Sequence, residues 1–167
     1  MLSNDLFGTE VTSDIHGMQL ALQMAQRAYE LDEVPVGAIV VQDGKVIGQG
    51  FNHPIKSLDP SAHAEVVAIR NAAQNIENYR LINSCLYVTV EPCTMCTGLL
   101  IHSRVQRVVF GTTEPKAGAI VSALKLAEQP FYNHKLQVEG GVLAAECSSI
   151  MSEFFAQRRK NKLNPLL

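Results

Sequence analysis

No apolar run in this 167-residue chain reaches the roughly 18–20 residues that a membrane span requires. The opening MLSNDLFGTE also lacks the basic start and apolar stretch of a secretory signal. Those two absences point to a cytoplasmic protein with no membrane partner. An excess of one charge is lacking as well: a net charge of −2 creates no global field for nucleic acid, so any such binding must come from a local patch. Internal repeats, low-complexity tracts and long linkers are absent, which leaves a single domain of ordinary size. Cysteine is scarce, at four residues. Two disulfides could pair them in three ways, but in a reducing compartment a close Cys-x-x-Cys favours metal or redox chemistry. What is present, 47% hydrophobic and 18% charged residues, excludes wholesale disorder.

The chain reads as a flexible leader at 1–13, one domain at 14–160 and a short tail at 161–167. From Asp14, the apolar residues Ile15, Met18, Leu22, Ala25 and Tyr29 recur at helical spacing, predicting a helix over 14–31. The run 36–41, the turn Asp43-Gly44 and the run 45–51 predict an antiparallel hairpin. Residues 52–60 carry two prolines and read as an irregular loop, followed by a helix at 62–75. Leu86–Val90 has the content of a buried strand and feeds a helix over 93–103, with Pro92 in its first turn. A strand at 105–110, a loop at 111–115, a short helix at 119–127, a strand at 135–138 and a last helix at 143–160 complete the order. Strands joined through helices tend to be parallel and covered, so the fold class expected is α/β, a three-layer α/β/α sandwich around a mixed five-stranded sheet.

His63-Ala-Glu65 opens one predicted helix and Pro92-Cys93-Thr-Met-Cys96 opens another. Cysteines at i and i+3 share a helical face, and the positive end of a helix favours the thiolate that a metal needs. Two thiolates and an imidazole suit Zn²⁺, and three protein ligands leave one position open, where water is acidified toward a pKa of roughly 7. Glu65 lies roughly 200° from His63 on an ideal helix, so the two converge only at a helix end, with Glu65 as proton shuttle rather than ligand. Alone, a Cys-x-x-Cys equally serves a structural zinc or redox pair, and a lone His-x-Glu is usually accidental; their conjunction favours catalytic zinc. Cys85 and Cys147 sit in apolar contexts and read as small buried hydrophobes. His16, His53, His102 and His134 read as surface or packing residues, with His53 and His134 in loops able to border a site.

His63-Ala-Glu65 with Pro92-Cys93-x-x-Cys96 resembles the zinc-dependent cytidine and deoxycytidylate deaminase superfamily. Flanking segments are similar to its bacterial tRNA adenosine deaminase branch: Glu33-Val-Pro-Val-Gly-Ala38, Asp59-Pro-Ser-Ala-His-Ala-Glu65, Asn78-Tyr-Arg-Leu81, Ile101-His-Ser-Arg104 and Phe154-Phe-Ala-Gln-Arg-Arg159. The resemblance implies a homodimer that converts wobble adenosine in a tRNA anticodon stem-loop to inosine, releasing ammonia. It implies one zinc per subunit on His63, Cys93 and Cys96, with Glu65 catalytic. Asn52 matches the residue that contacts the nucleoside, and Val36, Ala64 and Pro92 match positions around the base, the Ala64 amide bonding the ring. Glu114, Lys116, Asn133 and His134 match loops near the RNA, with glutamate at 114 where relatives carry aspartate. Arg158 and Arg159, in a basic cluster with Lys160 and Lys162, are expected to meet RNA phosphate; a solvated helix end is the plainer alternative. The rival activities are a free guanine, cytosine or cytidine deaminase and a non-catalytic zinc-binding RNA module.

Overall fold

The computed structural model describes residues 5–163, with the side chain of residue 163 left aside. Its elements are α1 (Asp14–Glu30), β1 (Gly37–Gln42), β2 (Lys45–Phe51), α2 (Pro54–Ser57), α3 (Ala64–Asn75), β3 (Ser84–Val90), α4 (Thr94–His102), β4 (Arg107–Thr112), β5 (Gln137–Gly140) and α5 (Ala144–Leu163). The five strands form one sheet in the order β2-β1-β3-β4-β5. The hairpin partner β2 and the neighbour β3 both run antiparallel to β1, whereas β3, β4 and β5 are mutually parallel. Asp43 and Gly44 both take positive φ, as the two central positions of a tight hairpin turn require.

Alternation along the strands divides the core in two. Ala38, Val40, Leu86, Val88, Val108 and Phe110 face α3 and α4, whereas Ile39, Val41, Tyr87 and Val109 face α1 and the Cys147 end of α5. That is the expected mixed sheet between two helical layers. Glycine lets α3 settle directly on β2: a Cβ at Gly50 would overlap the carbonyl of Ala64, in the first turn of α3. The parallel strands all end on the side from which α4 begins, so that edge of the sheet, with the start of β1 beside it, receives the functional residues.

Three readings need correction. Residues 5–13 are no free leader: Gly8, Thr9 and Val11 exchange backbone hydrogen bonds of 2.8–2.9 Å with Gly44 and Val46, and Leu6 is buried. The helix expected at 119–127 is a run of turns with one 3₁₀ turn at Leu126–Glu128. The amides of Ile120, Val121 and Ser122, which a helix would have to orient along its axis, all donate instead to the carboxylate of Glu91. The loop at 52–60 contains the single helical turn α2, started by Pro54 and stopped at Leu58 with φ of 54°. Smaller boundary shifts place β4 and β5 two residues later than expected, and α5 continues through 163 into the expected tail; residues 1–4 and 164–167 lie outside the described residues.

Candidate active site

His63 and Cys93 are the residues immediately before α3 and α4, both with extended backbone, and Cys96 is in the first turn of α4. A short network sets the approach: the hydroxyl and amide of Ser61 donate to Asp59 at 2.7 and 2.8 Å, and the His63 amide donates to the Ser61 carbonyl at 2.7 Å. Two helix N-termini therefore aim at one point. His63 Nδ1 lies 3.6 Å from Cys93 Sγ and 3.6 Å from Cys96 Sγ, and all three ligand atoms fall within 4.8 Å of one another. A tetrahedral zinc with bonds of about 2.3 Å to sulfur and about 2.0–2.1 Å to nitrogen has N···S edges of about 3.6 Å, so this donor set fits the ion in chemistry and in size. The hydrogen bond with Cys96 and the nearby His63 push the Cys93 thiol down to about 4, while the same contact and burial drive Cys96 far up. The bond to Cys93 raises His63. The trio is thus a place that stabilises positive charge among sulfurs.

Glu65 is the second residue of α3 and is buried, at 4% exposure. Burial pushes its carboxyl up to about 7. A carboxyl of that strength holds and releases a proton at neutral pH, the requirement for a general acid and base. The objection that residues 63 and 65 diverge on a helix falls away, because His63 precedes the helix rather than belonging to it.

Asn52, Val36 and Ala64 are joined by hydrogen bonds. The Asn52 amide donates to the Val36 carbonyl at 3.0 Å, and its side-chain oxygen accepts from the Ala64 amide at 2.8 Å. The Ala64 amide, expected to bond a substrate ring, is thus held by Asn52 in this structure. Pro92 accepts from the Ala119 amide at 2.8 Å, tying the start of α4 to the loop after β4.

The residues expected to meet RNA divide. Glu114 and Arg159 line one groove of about 340 Å³ with Val90, Thr112 and Phe155, beside the carboxyl ends of β3 and β4. The Glu114 carboxylate accepts from the Lys116 amide at 3.0 Å. Arg158 packs over the Phe154 ring at 4.8 Å and donates to the Asp32 carbonyl at 2.9 Å, joining α5 to the end of α1. His134 bonds the Val105 carbonyl at 2.6 Å, just before β4 begins, so Asn133 and His134 stand at the opposite edge of the sheet from the cysteines. Cys147 is buried against β4, as its apolar context implied, whereas Cys85 is half-buried.

Two buried acids had no role in the sequence reading. Glu33 is 1% exposed and accepts from the Lys56 amide of α2 at 2.7 Å. Glu91 is 3% exposed and accepts from four amides of the loop after β4. Burial opposes its ionisation, but the Ser122 hydroxyl and these amides outweigh that and hold the carboxyl below its ordinary range. The available signal was an acid directly following the apolar strand Leu86–Val90, where a free carboxylate has no place.

Comparison with known proteins agrees with this geometry. Residues 11–112 match the family model described as the cytidine and deoxycytidylate deaminase zinc-binding region. A Haemophilus influenzae protein named tRNA-specific adenosine deaminase is 52% identical over 146 residues, covering 87% of this chain and 84% of that one. A Streptococcus pyogenes protein of the same name is 40% identical over 147 residues, covering 88% and 92%. A solved structure from work on A-to-I editing by tRNA:A34 deaminases at the wobble position superposes with a TM-score of 0.79 at 41% identity, covering 81% of this chain and 98% of that one. A guanine deaminase from Nitrosomonas europaea shares the fold, with a TM-score of 0.77 at 21% identity, covering 92% and 89%.

Proposed function

The chain belongs to the cytidine and deoxycytidylate deaminase zinc-binding family, and we propose that it converts adenosine to inosine at the wobble position of a tRNA anticodon loop. The reaction consumes one water and releases one ammonia. One observation carries the chemistry: His63, Cys93 and Cys96 converge within 4.8 Å with the buried, weakly acidic Glu65 two residues from the imidazole; the likeness to proteins named tRNA-specific adenosine deaminase supports the choice of substrate. His63, Cys93 and Cys96 would hold the zinc, which supplies a Lewis acid able to bring the pKa of water toward neutrality.

Glu65 takes up the proton of the attacking water, passes it to the ring nitrogen beside C6, and later delivers the second proton to the departing amine. Its burial keeps bulk water from competing for those protons. Asn52 commits its side-chain oxygen to Ala64, which leaves its amide nitrogen as the group to meet the nucleoside. Val36 and Pro92 border the base. Duplex RNA hides C6 in its stack, so the substrate is a splayed loop base rather than a paired one. Glu114, Lys116 and Arg159 then meet the neighbouring loop nucleotides, and Arg158 acts both there and as a brace on Asp32. Asn133 and His134, at the opposite end of the strands from the cysteines, would meet RNA away from the flipped base. The proposal extends to a homodimer working in the cytoplasm; among the described residues no helix is long and apolar enough to cross a membrane.

The test is incubation with an anticodon stem-loop carrying adenosine at the wobble position, beside free adenosine, cytidine, cytosine and guanine. Inosine in the RNA and slow or no turnover of the free compounds is expected. Rapid turnover of a free compound with the RNA untouched would overturn the choice of substrate and leave the chemistry intact.

A further inference from the structure

The loop between β4 and β5 has no regular helix to hold it, yet its first ten residues are tied to a single side chain. Glu91 Oε2 accepts from the Glu114 amide at 3.0 Å, and Oε1 accepts from Ile120, Val121 and Ser122 at 3.2, 2.7 and 2.9 Å. The Ser122 hydroxyl donates to the same carboxylate. A Cβ on Gly118 would overlap that carboxylate, so the loop can close around it only where residue 118 has no side chain. The Glu91 amide donates to the Thr112 carbonyl at 2.9 Å, and the Ala119 amide to the Pro92 carbonyl at 2.8 Å, so this first stretch of the loop turns on residues 91 and 92. These contacts occur two residues before a sulfur ligand, at the edge of the sheet where Glu114 helps line the groove beside α5.

We propose that Glu91 is a positioning residue for substrate RNA: by gathering the 114–122 amides onto one carboxylate it fixes the wall of the groove that carries Glu114 and Lys116. The inference rests on the RNA-deaminase reading above. Among the described residues the hydrogen bonds of Glu91 go to loop groups and Thr112 rather than to His63, Cys93 or Cys96. Its loss therefore loosens the wall that receives RNA and leaves the metal ligands in place. Such a defect falls on KM for the RNA rather than on kcat. An amide in place of the carboxylate keeps the volume, but its nitrogen cannot accept, so at least one of the two groups of donors is released.

The experiment measures zinc content, kcat and KM on an anticodon stem-loop for the wild type and for Glu91→Gln, Gly118→Ala and Ser122→Ala. Expected for Glu91→Gln and Gly118→Ala is a KM raised by about tenfold or more with kcat within about threefold and zinc retained. Ser122→Ala should give a smaller rise that does not add to that of Glu91→Gln, since both act through one contact. Glu91→Asp, a carboxylate too short for both groups of donors, should recover part of the loss. An unchanged KM in Glu91→Gln and Gly118→Ala overturns the proposal, as does loss of zinc or of kcat in both. If Glu91→Gln does not fold, Gly118→Ala decides by the same readout. A wild type that leaves the RNA unchanged defeats the functional reading itself, a result distinct from an active wild type with indifferent variants.

Discussion

At the scale of single residues, the division of labour between ligands and proton carrier is open to substitution. Glu65→Gln keeps the shape of a buried side chain at the start of α3 but cannot carry a proton. It should lower kcat by about 10²–10⁴-fold, the usual worth of a positioned acid or base, with zinc bound as in the wild type. Cys93→Ala should instead lose the metal, measured by elemental analysis after desalting. A zinc-binding RNA module without catalysis predicts the opposite for Glu65, namely full biological activity in the variant. Arg159 and Arg158 separate in the same way. Arg159→Ala should reduce the salt dependence of RNA binding by a slope of about 0.7, the worth of one phosphate contact on single-stranded RNA. Arg158→Ala should also lower thermal stability, because that guanidinium braces α5 against Asp32.

Elements position these groups, and here the pairing of α1 with the sheet matters. Arg107 of β4 meets Asp14 of α1 through two hydrogen bonds of 2.7 Å, and the Tyr87 hydroxyl of β3 donates to the same carboxylate. The guanidinium first, and then the hydroxyl, hold Asp14 below its ordinary 3.8. A carboxyl whose pKa is depressed on folding stabilises the fold above its unfolded pKa and loses that contribution as pH falls through the folded value. Asp14→Asn should therefore be less stable than the wild type at pH 7, by about 0.5–1 kcal/mol for a pair one-third exposed. The gap should close as pH is taken below about 3.8. A gap that stays constant to pH 2 would show that packing, not charge, is lost.

Most elements were legible because their signals are local. Asp43-Gly44 declares a hairpin, and the 3.6-residue spacing of Met18, Leu22 and Ala25 declares a helix. The segment at 119–127 was misread because its competitor is distant: Glu91, about thirty residues earlier, takes the amides that propensity assigns to a helix. The leader was misread for a related cause, since pairing of residues 8–11 with the hairpin is a tertiary event that no period announces. In the site, His63, Glu65, Cys93 and Cys96 were readable from type and spacing, whereas the bond between Asn52 and Ala64 required the loop to fold back over α3.

For the whole molecule, a net charge of −2 supplies no global field for RNA, so the proposed function needs a local site of attraction. The groove beside α5 and the cysteines both lie at the carboxyl ends of the parallel strands, which is where the proposal puts binding and chemistry. Coordination of the ion decides between a catalytic and a structural zinc site. X-ray absorption at the zinc edge of the metal-loaded protein tests it most directly. Two sulfurs at about 2.3 Å and two light atoms at about 2.0–2.1 Å are predicted, only one of the latter being imidazole. A shell completed by a fourth side chain, or one with a single sulfur, would contradict it.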